Sequence, residues 1–126
     1  MKQEDIVYKI LRLREWRQIE QTKKIAISAL DKASGFVHLS TREHLLETCS
    51  LYFKPEEQPL AIGIGTQELA GDLRWELVPT RNNQAFPHLY RALQFSDFQL
   101  LQYFAFQNGT WSFGRQEPLE ERKLFK

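Results

Sequence analysis

One five-residue phrase occurs twice in the chain, as Phe36-Val37-His38-Leu39-Ser40 and as Phe86-Pro87-His88-Leu89-Tyr90. Each copy reads aromatic, any residue, His, Leu, hydroxyl. In an extended chain side chains alternate between faces, so the aromatic, the histidine and the hydroxyl share one side while the leucine takes the other. A fold holding both copies this way needs a sheet with a core on one side and a histidine-bearing surface on the other. Two of the chain's three histidines occupy the matching positions, and imidazole is the side chain best suited to proton transfer or ligand binding near neutrality. The phrases nominate a site before any reaction.

At 126 residues the chain is sized for one domain with one core. Seventeen basic residues against sixteen acidic leave a formal charge of +1, so no global field recruits nucleic acid or an anionic membrane surface. The single cysteine, Cys49, excludes an internal disulfide. No apolar run approaches the ~20 residues needed to span a bilayer. The first residues lack a signal-peptide core, which makes a cytoplasmic protein the expectation.

Periodicity predicts the elements. Ile6–Leu11, rich in β-branched and aromatic residues, reads as the first strand, and Leu13, Trp16 and Ile19 recur at helical spacing over Leu13–Thr22. Ser28, Asp31, Ser34 and Gly35 mark an irregular loop. Ser40-Thr41-Arg42-Glu43 reads as a capping box opening a helix that ends near Lys54, ahead of Pro55. On that helix Leu45, Leu46, Cys49, Tyr52 and Phe53 share an inward arc, with His44 on the solvent side.

Leu60–Gly65 alternates bulky with nearly bare positions, and Leu73–Val78 sets Leu73, Trp75 and Leu77 opposite Arg74 and Glu76. Pro79 to Ala85 reads as a loop, Pro87 as an edge or strand-start position, and Phe98–Phe106 as a final strand. Asn108-Gly109 then turns into a short return at Thr110–Phe113. Residues 1–113 are expected to form a single α+β domain with two principal helices, and residues 114–126 a charged extension with Pro118 opening a short helix.

Taken in order, Ile6–Ile10 with Trp16, Asp31 with Gly35–Thr41, Arg74-Trp75-Glu76 and Phe86–Tyr90 resemble the signature of the domain-of-unknown-function family numbered 952. The resemblance implies a fold like that of the ADP-ribosyltransferases, a split mixed sheet with helices, and brings no established activity with it. Two departures from that family's pattern stand out, the residue after the second phrase and the charged tail after Gly114, an addition. Arg91 replaces the glycine that usually follows the second phrase. Gly35–Ser40 is also similar to a stretch of the RNA 2′-phosphotransferases, which use NAD on that fold, but their first-strand Arg-His pair is replaced here by Tyr8-Lys9-Ile10-Leu11.

On this resemblance His38 and His88 line a cleft for NAD or an ADP-ribose-like nucleotide. A ring would lie against Phe36 or Trp75, ribose hydroxyls would bond Glu76 or His38, and phosphates would meet Arg74, Arg91 or the helix start at Thr41. Ser40, Thr41 and Tyr90 supply hydroxyls. For chemistry the candidates are His38, Glu76 and His88.

Plainer readings stand beside these. Ser40 and Thr41 have a capping role, Trp75 suits a core, and Glu76 suits a surface pair with Arg74. His38, His88 and Glu76 lack the close spacing of a metal site, and Cys49 sits on a buried arc. Three classes remain: a nucleotide-binding module, an ADP-ribosyl or nucleotide-processing transferase, and a non-catalytic interaction domain.

Overall fold

The alternation of Leu60, Ile62 and Ile64 with Ala61, Gly63 and Gly65 builds β3 (Leu60–Gly65), a strand buried along its whole length. Its bare face is a packing requirement: a Cβ on Gly63 would lie 2.7 Å from Leu100 Cγ and 3.3 Å from Ile6 Cγ2. The computed structural model describes residues 5–119. Around β3 the chain runs through β1 (Ile6–Leu11), α1 (Leu13–Thr22), α2 (Ala29–Ser34), β2 (Val37–His38) and α3 (Leu45–Tyr52), then β4 (Leu73–Val78), β5 (Gln84–Leu89), β6 (Phe98–Gln107) and β7 (Thr110–Pro118).

These elements form an α+β domain of two sheets, ordered β1-β3-β6-β7 and β2-β5-β4. Every pairing among the described residues is antiparallel, where a mixed sheet was expected. Short turns join β4 to β5 and β6 to β7, and short turns can return a strand only in the opposite direction. The main core gathers Val7, Leu60, Ile62, Ile64 and Leu101 of the larger sheet with Leu39 and Leu89 of the smaller. Trp16 of α1 joins it, stacked on Phe95 at 6.4 Å. No helix among the described residues is long and apolar enough to cross a membrane.

Several local expectations are corrected. The segment read as a loop contains α2, because Ser28 is its N-cap, accepting from Asp31 N at 3.1 Å, and Gly35 its left-handed C-cap. The capping box at Ser40 does not form. Ser40 exchanges main-chain bonds with Tyr8, joining the two sheets, while the Thr41 hydroxyl is hydrogen-bonded to His44 Nδ1 at 3.1 Å. His44 accordingly packs on Phe86 rather than facing solvent. Helix α3 ends at Tyr52, whose side chain is exposed, as is that of Leu51.

Pro87 lies in the central strand of its sheet, not at an edge. Its carbonyl accepts from Leu39 N at 3.1 Å, so its missing N–H falls on the β2 side, just where β2 pairing stops at His38. Past Gly114 the chain stays in β7 as far as Pro118, which pairs with Leu100 instead of opening a helix, and Leu119 is wholly buried in the main core. The charges there suit an edge strand, where they discourage further pairing. Residues 114–119 therefore belong to the domain, and the rest of the expected extension lies outside the described residues.

Cys49 is wholly buried, and burial pushes its thiol up to about 12. Native protein is expected to react with a thiol reagent at least about 100-fold more slowly than protein in urea. Comparing labelling rates in the two conditions checks this.

Candidate functional site

Pairing of β2 with β5 and of β5 with β4 sets His38, His88 and Arg74 in one row across the smaller sheet. Strand alternation puts Phe36, Glu76, Phe86 and Tyr90 on the same face, opposite Leu39, Leu73 and Leu89 of the core. The Phe36 ring stacks on His88 with centroids 4.1 Å apart and lies 4.6 Å from His38 and 5.3 Å from Tyr90. The imidazoles themselves are 5.5 Å apart.

Each imidazole is tied to a carboxylate. His38 Nδ1 lies 2.7 Å from Asp31 Oδ1, and His88 Nδ1 lies 2.7 Å from Glu76 Oε1. Asp31, only 5% exposed, also accepts from Lys9 Nζ at 2.9 Å and from the His38 main-chain N–H at 3.2 Å. Tyr90 donates its hydroxyl to the same Glu76 oxygen at 2.8 Å.

Charge follows from these contacts. Burial alone would raise Asp31, but the His38 hydrogen bond and the Lys9 charge outweigh it and hold the carboxyl at about 2. The hydrogen bonds from His88 and Tyr90 lower Glu76, and the bond to Glu76 raises Tyr90. Both carboxylates are thus ionised at neutral pH and can only accept, so each Nδ1 must carry the proton. Whenever a ring is neutral, its Nε2 is then a lone-pair acceptor. Neither Nε2 has a partner among the described residues. Among the described residues the only buried side-chain nitrogen or oxygen without one is Arg81 Nε, so both Nε2 atoms reach solvent.

The other candidates fall elsewhere. Trp75, expected in the core or against a ligand ring, is 41% exposed and lies on the opposite face of β4 from Glu76. Arg91 is held in the loop after β5 by Asp97, at 3.0 and 3.1 Å, and by the Ala92 carbonyl. Ser40 and Thr41 are buried at the β1 junction and against His44. Arg74 packs over the Tyr90 ring at 5.4 Å.

Asp31 and Lys9 were absent from the predicted site. Asp31's position in the first turn of a Ser-capped, Gly-terminated helix just ahead of the first histidine phrase was the available signal. No group of three or more metal-ligating side chains occurs among the described residues.

The rings of Phe36, His38, His88 and Tyr90 line the histidine face. A recess of about 500 Å³ lies beside α1, lined by Arg12, Arg14 and Arg17 with Glu56 and Glu57, and one of about 310 Å³ lies beside Thr66–Glu68. Neither includes a residue of the histidine face.

A small antiparallel α+β domain carrying paired carboxylate–imidazole groups on one sheet face is the class that fold and site define. The chain belongs to the family described as Protein of unknown function (DUF952), which matches residues 10–99. It is similar to the crystal structure of protein CC0527 from Caulobacter crescentus, with 31% identity and a TM-score of 0.73 over 85% of this chain and 93% of that one. The solution NMR structure of CC0527 is similar at 31% identity and a TM-score of 0.72, over 85% of this chain and 90% of that one. No curated protein matches the chain.

Proposed function

We propose that the histidine face binds a small molecule of the NAD or ADP-ribose kind. The observation that carries this reading is the matched pair of imidazoles, each with Nδ1 tied to an ionised carboxylate at 2.7 Å and Nε2 turned free. Two fixed acceptors 5.5 Å apart, ring to ring, suit the vicinal hydroxyls of a ribose. Phe36 and Tyr90 offer ring surfaces to a base, and Arg74 offers a cation to a phosphate. The resemblance to families with the ADP-ribosyltransferase fold supports the same ligand class.

A second reading, transfer chemistry on such a nucleotide, draws on the His38–Asp31–Lys9 chain. Glu76 Oε1 already accepts two hydrogen bonds, so the base would be an imidazole Nε2.

Amide NMR titration with NAD and then ADP-ribose tests the binding reading. Saturable shifts are expected over residues 35–41, 74–76 and 88–90, with affinity lost in His38→Ala. Absence of shifts at about 1 mM of either ligand would overturn it. Turnover of NAD by the same sample would favour the second reading.

A further inference from the structure

Strand β4 ends the smaller sheet among the described residues, and its open edge is self-complementary. Pro87 O accepts from Leu39 N, and Tyr90 N donates to Asp72 O. With the β4–β5 register, these bonds turn the main-chain groups of Asp72, Arg74 and Glu76 toward β5. The groups of Leu73, Trp75 and Leu77 therefore point outward and have no partner among the described residues. Outward N–H and C=O groups in a flat strand are a template for another strand.

The sequence along that edge is Leu73-Arg74-Trp75-Glu76-Leu77, a pattern that reads apolar, positive, Trp, negative, apolar in either direction of charge exchange. From this we infer that β4 pairs antiparallel with β4 of a second copy about a twofold axis at Trp75. In that register Leu73 opposes Leu77, Trp75 opposes itself, and each Arg74 opposes Glu76 of the second copy. Like parity is kept, so every outward main-chain group of Leu73, Trp75 and Leu77 finds its partner. Pro79, lacking an N–H, ends the ladder.

Side chains on both faces agree. Trp75 and Leu77 lie on the core face but overhang the core, 41% and 67% exposed; the second copy would cover both. On the histidine face, Glu76 uses Oε1 for His88 and Tyr90, leaving Oε2 without a partner among the described residues. Arg74 has no carboxylate within 4.0 Å among the described residues, its charge reaching Glu76 only at longer range. The other edges are less suited. The β6–β7 ladder carries a register shift, β1 is bridged by Ser40, and β2 has two residues. Pairing would extend the row His38, His88, Arg74 by Glu76 of the second copy, so the two histidine faces would share one continuous sheet.

Sedimentation of the full chain from about 10 μM to about 1 mM is expected to show a reversible dimer. Leu77→Lys and Arg74→Glu, both at exposed positions, are each expected to weaken it by about tenfold or more. The register is read by oxidation. Directly opposed residues have Cα atoms about 5.5 Å apart, within disulfide reach, so Trp75→Cys should give a covalent dimer while Leu77→Cys should not; buried Cys49 does not interfere. A monomer at every concentration, a dimer indifferent to both charge-introducing variants, or no cross-linking of Trp75→Cys would overturn the pairing.

Discussion

Asp31→Ala is expected to destabilise the protein by about 3 kcal/mol, because it strands a Lys9 ammonium and two His38 donors around an emptied, buried position. The wild-type carboxylate is 5% exposed and accepts from all three at 2.7 to 3.2 Å. Asp31→Asn keeps the shape and one acceptor but loses the charge, and should cost about half as much. Urea unfolding midpoints measure both.

The acid limb gives an independent check. Asp31 is held at about 2 against an ordinary 3.8, a depressed value, so its contribution is complete above the ordinary value and is lost as pH falls toward 2. That difference corresponds to about 2 kcal/mol. The stability gap between wild type and Asp31→Asn should therefore be constant above about pH 5, shrink below pH 4 and close near pH 2. A gap unchanged between pH 5 and pH 2 would show that Asp31 acts by shape and not by charge.

Gln102→Leu is expected to cost a similar amount, about 3 kcal/mol, for a different reason. Gln102 is wholly buried at the register shift between β6 and β7. There its amide nitrogen donates to the carbonyls of Tyr103 at 2.8 Å and Gly114 at 3.1 Å. Its carbonyl oxygen accepts from Arg42 and Gln116, both at 2.9 Å. A leucine of similar volume satisfies none of these, and a buried unpaired polar group carries its full desolvation penalty. Gln102→Glu should be similarly harmful at neutral pH, since it turns a carboxylate oxygen on two carbonyls, and should recover in part on acidification. Equal stability of the leucine variant and wild type in urea titrations would refute this account.

Much of the architecture was legible because alternation and helical spacing are local. Leu60–Gly65, Leu73–Val78 and Leu13–Thr22 were placed to the residue, and the two histidine phrases were placed on one face. What was misread depended on partners distant in sequence. Ser28 and Gly35 look like loop residues, yet they are the two caps of α2, whose purpose becomes visible only when Asp31 meets His38 and Lys9. Ser40-Thr41-Arg42-Glu43 has the letters of a capping box, but its first residue is claimed by Tyr8 and its second by His44. The charges beyond Gly114 suggested a solvated tail because an edge strand carries charge for protection. Alternation assigns Trp75 to the core face but does not tell how far the core extends beneath it.

The shortness of β2 bears on how the molecule assembles. The β4–β5 and β6–β7 hairpins close over short turns, whereas His38 meets His88 across fifty positions of chain. Loop-closure entropy is lost before such a distant contact returns any stabilisation, so the hairpins are expected to form before β2 docks. The β2 ladder has only two residues, and main-chain bonds from Leu39 to Pro87 and between Ser40 and Tyr8 continue its hold. The Asp31–His38 bond and the Phe36 stack supply what a longer ladder supplies elsewhere. The histidine face is then expected to close late on folding and to open locally in the native ensemble. A molecule bridging His38 and His88 would slow exchange there long before it changed global unfolding.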